Sequence, residues 1–257
     1  MVTPGHHVPS YVPDNLAAPV AEYLNKEPEM TVTSTTLTRA AGVAAIGAGL
    51  IFIGVQINHP HLDATSITTT EVVLRNSLKV LMAALALAGF TGMYLSQVRR
   101  NGLLGLIGYL VLGVGFLTIL CTTFVAAYVL PTIAETNPGF VNDVAAVATG
   151  GHAIGDIGAL QIAERVQGFG YLAGGLIFGI ALYRARVLTR WATLLLAVGG
   201  VVSAALSVMP DAFYRLLAFP TGIAMIALGY SLWKTSRDNN TTQPALPSQR
   251  VTTASAA

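Results

Sequence analysis

The chain has 257 residues, of which 53% are apolar and only 10% are Asp, Glu, Lys or Arg, with a formal net charge of +2. A soluble domain carries about a quarter charged residues, so an ordinary water-soluble enzyme is excluded. The fourteen basic and twelve acidic residues are also too balanced and dispersed for a phosphate-tracking surface, which removes nucleic acid as a partner. A mean hydropathy of +0.63, gathered into long charge-free runs, points to a polytopic membrane protein whose first partner is the lipid bilayer.

Residues 1–36 hold Pro, Thr and scattered acids around one weak apolar stretch, Leu16 to Leu24. They read as a disordered cytoplasmic tail without a cleavable signal, so the first apolar run is a retained helix. Crossing about 30 Å of hydrocarbon takes roughly 18 to 20 residues at 1.5 Å each. Six runs qualify, over residues 40–57, 80–98, 102–130, 166–183, 191–210 and 216–233. All are apolar on every side and free of interior charge, which selects helix over barrel strand. The expected fold is all-α: a six-transmembrane-helix bundle over residues 37–234, followed by a disordered cytoplasmic tail over 235–257.

Between the first two spans lies NHPHLD, with His59, His61 and Asp63, then Thr68-x-x-Glu71. That pattern is a capping box, which would start the second helix before the bilayer. Glu71, Arg75 and Lys79 follow at i, i+4 and i+8 as one polar stripe, with Glu71 and Arg75 ordered to pair. The segment 131–165 is long for a connection. Phe140, Val144 and Val147 share one helical face and Ile154, Ile157 and Leu160 another, predicting a small extracytoplasmic cap of two short amphipathic helices.

The cap carries Glu135, Asp143, Asp156 and Glu164, and its carboxylates are expected to meet Arg75 and Lys79. Arg75, Lys79, Asp143 and Glu164 form the expected external polar cluster. His152 and Asp156, an i, i+4 pair if helical, with His59 and His61 opposite, supply ligand types for a divalent metal. The spacing carries no metal signature, because a rigid proline separates His59 from His61 and helical ligand pairs need three intervening residues. No metal site, cofactor or catalytic residue is assigned. The lone Cys121 sits in an apolar run and excludes both an intramolecular disulfide and a cysteine metal cluster.

The fourth span holds Gly168, Gly170, Gly174, Gly175 and Gly179. Gly174, Gly175 and Gly179 are expected to let a second helix of the same chain approach closely, with a homo-oligomer or another membrane protein as the other use of such a face. Pro220 is expected to kink the sixth span. No ionisable residue or histidine falls inside the six spans, which disfavours a proton pump and a membrane cytochrome. H-E-x-x-H, G-x-S-x-G and Walker spacings are absent.

The text GLLGLIGYLVLGVGF, then GYLAGGLIFGIALYRARVLTRWATLLLAVGG, then RLLAFPTGIAMIALGYSLW resembles a group of uncharacterised, actinobacterial-type six-helix integral membrane proteins. The resemblance covers roughly residues 39–233. It implies the bacterial inner membrane and a six-helix fold, and carries over no activity. The leading expectation is therefore a non-enzymatic accessory or interaction module. The alternative is a small-molecule transporter or binder with its site beneath the external cap.

Lys and Arg near span ends are retained in the cytoplasm. With both termini inside, Lys26, Arg39, Arg99, Arg100, Arg184, Arg186, Arg190, Lys234, Arg237 and Arg250 are cytoplasmic, while Arg75, Lys79, Arg165 and Arg215 are external. Single cysteines in a Cys121→Ala background test this orientation. Arg100→Cys and Arg186→Cys should resist an impermeant maleimide until the membrane is permeabilised, and labelling from outside would invert the topology.

Overall fold

A computed structural model describes residues 33–207 and 218–241, with side chains described over 33–202 and 218–237. The compact unit that begins at Ser34 is built from α1 (Ser34–Gly54), α2 (Thr70–Leu95), α3 (Val98–Phe124), α4 (Pro138–Ala148), α5 (Ala159–Ala185), α6 (Arg190–Ser207) and α7 (Ala218–Thr241). No strand occurs among the described residues. A π-helical turn, Val125–Val129, and one further turn, Leu130–Ile133, prolong α3. Four helices, Ser34–Gly54, Thr70–Leu95, Val98–Ile133 and Ala159–Ala185, are long and apolar enough to cross a membrane, as in a multi-pass membrane protein, and α6 is apolar over Arg190–Val202.

Several local boundaries differ from the sequence expectation, each for a visible reason. The N-cap of α2 is Thr69, whose extended backbone and hydroxyl serve the Val72 N–H, while Thr68 closes the preceding 3-10 turn, Ser66–Thr68. Glu71 is thereby released from capping and turns to Arg75. Near its start α3 is broken at Gly102, where φ is +57° and ψ is −159°, a conformation that favours glycine. Pro220 lies in α7 two residues after Ala218, the first described residue of that helix.

The segment 131–165 forms one short helix rather than two. Asn137 caps α4 by accepting the Phe140 N–H, and the chain then turns through Gly150 and Gly158, both at positive φ. Ile154 is fully exposed, and α5 has already begun at Ala159, so the expected second cap helix is absent. His152 and Asp156 lie on irregular backbone and do not share a helix face. At the far end α7 continues to Thr241, making residues 235–241 helical rather than tail. Residues 1–32 and 242–257 of the expected tails lie outside the described residues.

The six long helices close a ring. Each packs on the long helix before and after it, α7 returns to α1, and the most extensive pairs are α3 with α5 and α1 with α7. Apolar side chains gain nothing by leaving lipid, so such pairs depend on close backbone approach at small residues. On α5, Gly170 and Gly174 face α3: a β-carbon on Gly170 would stand 2.7 Å from the Gly115 Cα, and one on Gly174 would strike the Leu112 backbone. Gly175 and Gly179 face α6 instead. There a β-carbon on Gly179 would lie 2.5 Å from the Ala197 nitrogen, whereas one on Gly175 would find ordinary contact at 3.5 Å. Between α1 and α7, added β-carbons on Gly42 and Gly49 would stand 2.7 Å and 2.5 Å from the Gly229 and Gly222 carbonyl oxygens.

The ring is filled by aromatic side chains. Phe90 contacts Phe116 and Phe178 edge-on at 5.1 Å and 6.2 Å between ring centres, Phe116 meets Tyr171 at 6.0 Å, and Tyr109 stacks on Tyr94 at 4.9 Å. Phe90, Phe116 and Phe178 are essentially inaccessible. Beside this core a second apolar cluster joins Val141 and Val144 of α4 to Ile67, Val72, Leu130 and Ile157. The short helix thus docks on the start of α2 and the end of the α3 extension. Its buried face is centred on Val141, Val144 and Ala145, with Phe140 and Val147 at the edge.

Gly174→Ala should lower stability in detergent by about 1–3 kcal/mol, the usual cost of overpacking. Gly113→Ala, whose β-carbon enters open space, should leave the melting temperature unchanged. Equal effects of the two substitutions would show that the α3–α5 contact does not limit stability.

Candidate ligand cavity

At the end of the bundle where α1 joins α2, the side chains of α1, α2, α3, α5 and the α4 terminus enclose a cavity of about 350 Å³, at the lower end of the range for small-molecule sites. Phe52, Met82, Ile119 and Tyr171 supply its apolar surface, and His59, Asn76, Lys79, Thr122, Glu164 and Gln167 its polar groups. Lys79 lies about 14 Å along α2 from its first residue. It therefore stands well inside a membrane-length helix, although the sequence placed it just ahead of the span.

Two hydrogen-bonded chains fix these polar groups. Lys79 Nζ is 3.0 Å from His59 Nε2, and His59 Nδ1 is 2.8 Å from the Pro60 carbonyl oxygen. A carbonyl only accepts, so Nδ1 carries the proton and Nε2 accepts from the ammonium. His59 is 8% exposed, so a lysine on α2 is held by a buried imidazole from the α1–α2 connection. On the other side Thr122 Oγ1 donates to Gln167 Oε1 at 2.7 Å, and Gln167 Nε2 donates to Glu164 Oε2 at 3.0 Å. This chain joins α3 to α5 and orients the carboxylate. Asn76, one turn before Lys79 and 2% exposed, has an amide nitrogen buried without a hydrogen-bond partner.

The mouth is organised by a few further residues. Arg75 donates to Glu71 and, through Nη1, to the Val55 and Ile57 carbonyls at 3.0 Å and 2.9 Å. It thus serves the orphan carbonyls beyond the end of α1. Asn142 on α4 accepts the Ala64 N–H at 2.8 Å, and Asp143 accepts the Ile154 and Gly155 N–H groups at 2.8 Å and 2.9 Å. Asp63 accepts from Thr65 and Ser66. The Ser66 backbone N–H above all holds the Asp63 carboxyl below the usual aspartate range. That contribution is complete above the ordinary aspartate pKa and fades as pH falls through the depressed value.

The expected external cluster is therefore divided. Lys79 and Glu164 share the cavity, Arg75 pairs with Glu71 on its own helix, and Asp143 is spent on the loop after α4. The metal candidates part in the same way. His59 and His61 line the cavity, whereas His152 and Asp156 are exposed on the loop, where Asp156 accepts the Gly158 N–H. Among the described residues no group of three or more His, Cys, Asp or Glu is placed to hold a metal.

Asn76 and Gln167 escaped the sequence reading. Their signal was an amide three residues from a charged residue inside an apolar helix, Asn76 before Lys79 and Gln167 after Glu164. At the opposite end a hollow of about 540 Å³ is lined by Gln97, Arg99, Arg100 and Thr235 among others. Its two arginines are exposed, so water already serves them. No protein-family model matches this chain, and comparison with curated proteins and with solved structures gives no significant match.

Arg75→Met should release the Val55 and Ile57 carbonyls at a cost of about 1.5–3 kcal/mol for each charge-assisted bond lost. Hydrogen exchange over residues 55–62 should accelerate while that of α5 stays constant. Unchanged exchange at 55–62 would remove Arg75 as the anchor of the mouth.

Proposed function

We propose that this chain is a six-span bacterial inner-membrane protein, both termini cytoplasmic, that binds a small molecule in the cavity beneath an external cap formed by α4 and its loop. Four helices of spanning length support the topology, with α6 and α7 completing the same ring. The arginine bias of the α2–α3 and α5–α6 connections favours an outward-facing cavity.

One observation carries the functional reading. Lys79, Glu164 and an amide nitrogen without a partner are gathered around one hollow among membrane-length helices. Buried polar groups left unsatisfied are expensive, and a polar set converging in an apolar pocket is the usual form of a ligand site. The aromatic fill beneath it favours a binder or receptor-like accessory over a conduit, since Phe90, Phe116 and Phe178 close the ring directly below. An enzyme would need an acid, base or nucleophile poised at a reacting atom, and the role proposed for these groups is recognition.

A cysteine accessibility assay tests this reading. In the Cys121→Ala background, Gln167→Cys should react with a small impermeant methanethiosulfonate added outside. A low-molecular-mass metabolite extract should slow the reaction, and adding Gly168→Trp, which fills the hollow from a glycine with open space around it, should block it. Reaction only from the cytoplasmic side, or no protection by the extract, would overturn the proposal.

A further inference from the structure

The cavity holds opposite charges that do not neutralise each other. The ion pair among the described residues is Arg75 with Glu71, and Lys79 and Glu164 do not form one. Opposite charges attract strongly where solvent screens them poorly, so direct pairing would be the simplest way to offset their desolvation. The fold prevents it. Lys79 is on α2 and Glu164 on α5, helices that are not neighbours in the ring, and each is tied to a neutral partner of its own: Lys79 to His59, Glu164 to Gln167. His59 is held in turn at the Pro60 carbonyl and Gln167 by Thr122.

A cation and a carboxylate kept apart across one hollow are complementary to a molecule that carries both charges. We infer that the ligand is a small zwitterion, an ammonium and a carboxylate on a short apolar frame, lodged between Lys79 and Glu164. The inference rests on the binding role proposed for the cavity and specifies its ligand class. The carboxylate meets Lys79, which keeps N–H groups beyond the one given to His59, and the Asn76 amide one turn away. A half-turn of that amide exchanges its nitrogen and oxygen, so it can present a donor beside the ammonium. The ammonium meets Glu164. The apolar frame lies on Phe52, Met82 and Tyr171. A ligand with one charge would leave the opposite group desolvated and uncompensated, which is the costly case for buried ions.

The test uses the full chain in detergent or nanodiscs and calorimetric titration with defined probes. The zwitterions are the ω-amino acids from glycine to 8-aminooctanoate, and the singly charged comparisons are hexanoate and hexylammonium. At least one ω-amino acid should bind, with an optimum in chain length, and should bind about tenfold or more tightly than either singly charged analogue. Glu164→Gln should bring the zwitterion down to the affinity of hexanoate, and Asn76→Leu should weaken both carboxylate-bearing probes while sparing hexylammonium. The analogue series is run on the unaltered protein, so it decides the ligand class even where a variant fails to fold. Hexanoate equal to the best zwitterion, or no binding anywhere in the series, would overturn the inference. The cysteine assay judges the binding role separately, so a site protected by extract yet indifferent to zwitterions would leave that role standing and remove this ligand class.

Discussion

Backbone contact between helices is the constraint on which the rest of the molecule depends. In lipid no hydrophobic force draws helices together, so they hold where small residues let main chains touch. Gly170 and Gly174 bring α5 onto α3, while Gly42 and Gly49 bring α1 onto α7. These two seams are the most extensive in the ring, and they set the spacing of the helices between them. The same α3–α5 seam brings Thr122 within reach of Gln167, so packing deep in the bundle also determines where Glu164 stands.

The ring is filled differently along its length. Through its middle, rings of Phe and Tyr occupy the space and exclude water. Near the α1–α2 end the filling gives way to Lys79, Asn76, Glu164 and Gln167, and α4 packs alongside through Val141 and Val144. The boundary is sharp because Phe52 and Tyr171 belong to both zones: they touch edge-on at 6.4 Å and also line the cavity. Tyr171 further joins α5 to α7 through its hydroxyl on Thr221. A polar hollow on an aromatic floor suits binding better than passage.

Charge placement follows from this geometry. The arginine at the mouth is consumed by local structure, with Glu71 one turn behind it and the carbonyls beyond α1 beside it. The lysine one turn deeper lies two turns from Glu71, whose carboxylate is already taken by Arg75, and meets a histidine from the preceding connection. Of the acids of segment 131–165, Glu164 shares the cavity with Lys79 without pairing to it. Asp143 and Asp156 satisfy backbone N–H groups in a loop too irregular to satisfy its own, and Glu164 belongs to α5.

Some of this was written in the sequence. All-helical structure and its long apolar helices follow from charge-free runs, because a backbone in hydrocarbon must satisfy its own polar groups. The Glu71–Arg75 pair follows from i, i+4 spacing, and the glycines of α5 from their density. Local rules gave less where two signals competed. Thr68 had the glutamate of a capping box three residues on, yet the cap fell to Thr69 because Thr68 was taken into the preceding 3-10 turn; Ile154 and Ile157 kept a helical period that Gly155 and Gly158 cancelled, and the start of α5 was hidden because Glu164 and Arg165 looked like a loop. Tertiary structure alone decided which glycine faces which helix, since Gly174 and Gly175 are adjacent in sequence yet meet different partners. It also decided the cavity, whose parts come from residues 52 to 171: Asn76 and Gln167 are ordinary amides until the closing of the ring leaves one without a partner and ties the other to a carboxylate. Periodicity records which residues share a face, whereas a site depends on which faces meet, and that is fixed by the distance at which the backbones come to rest.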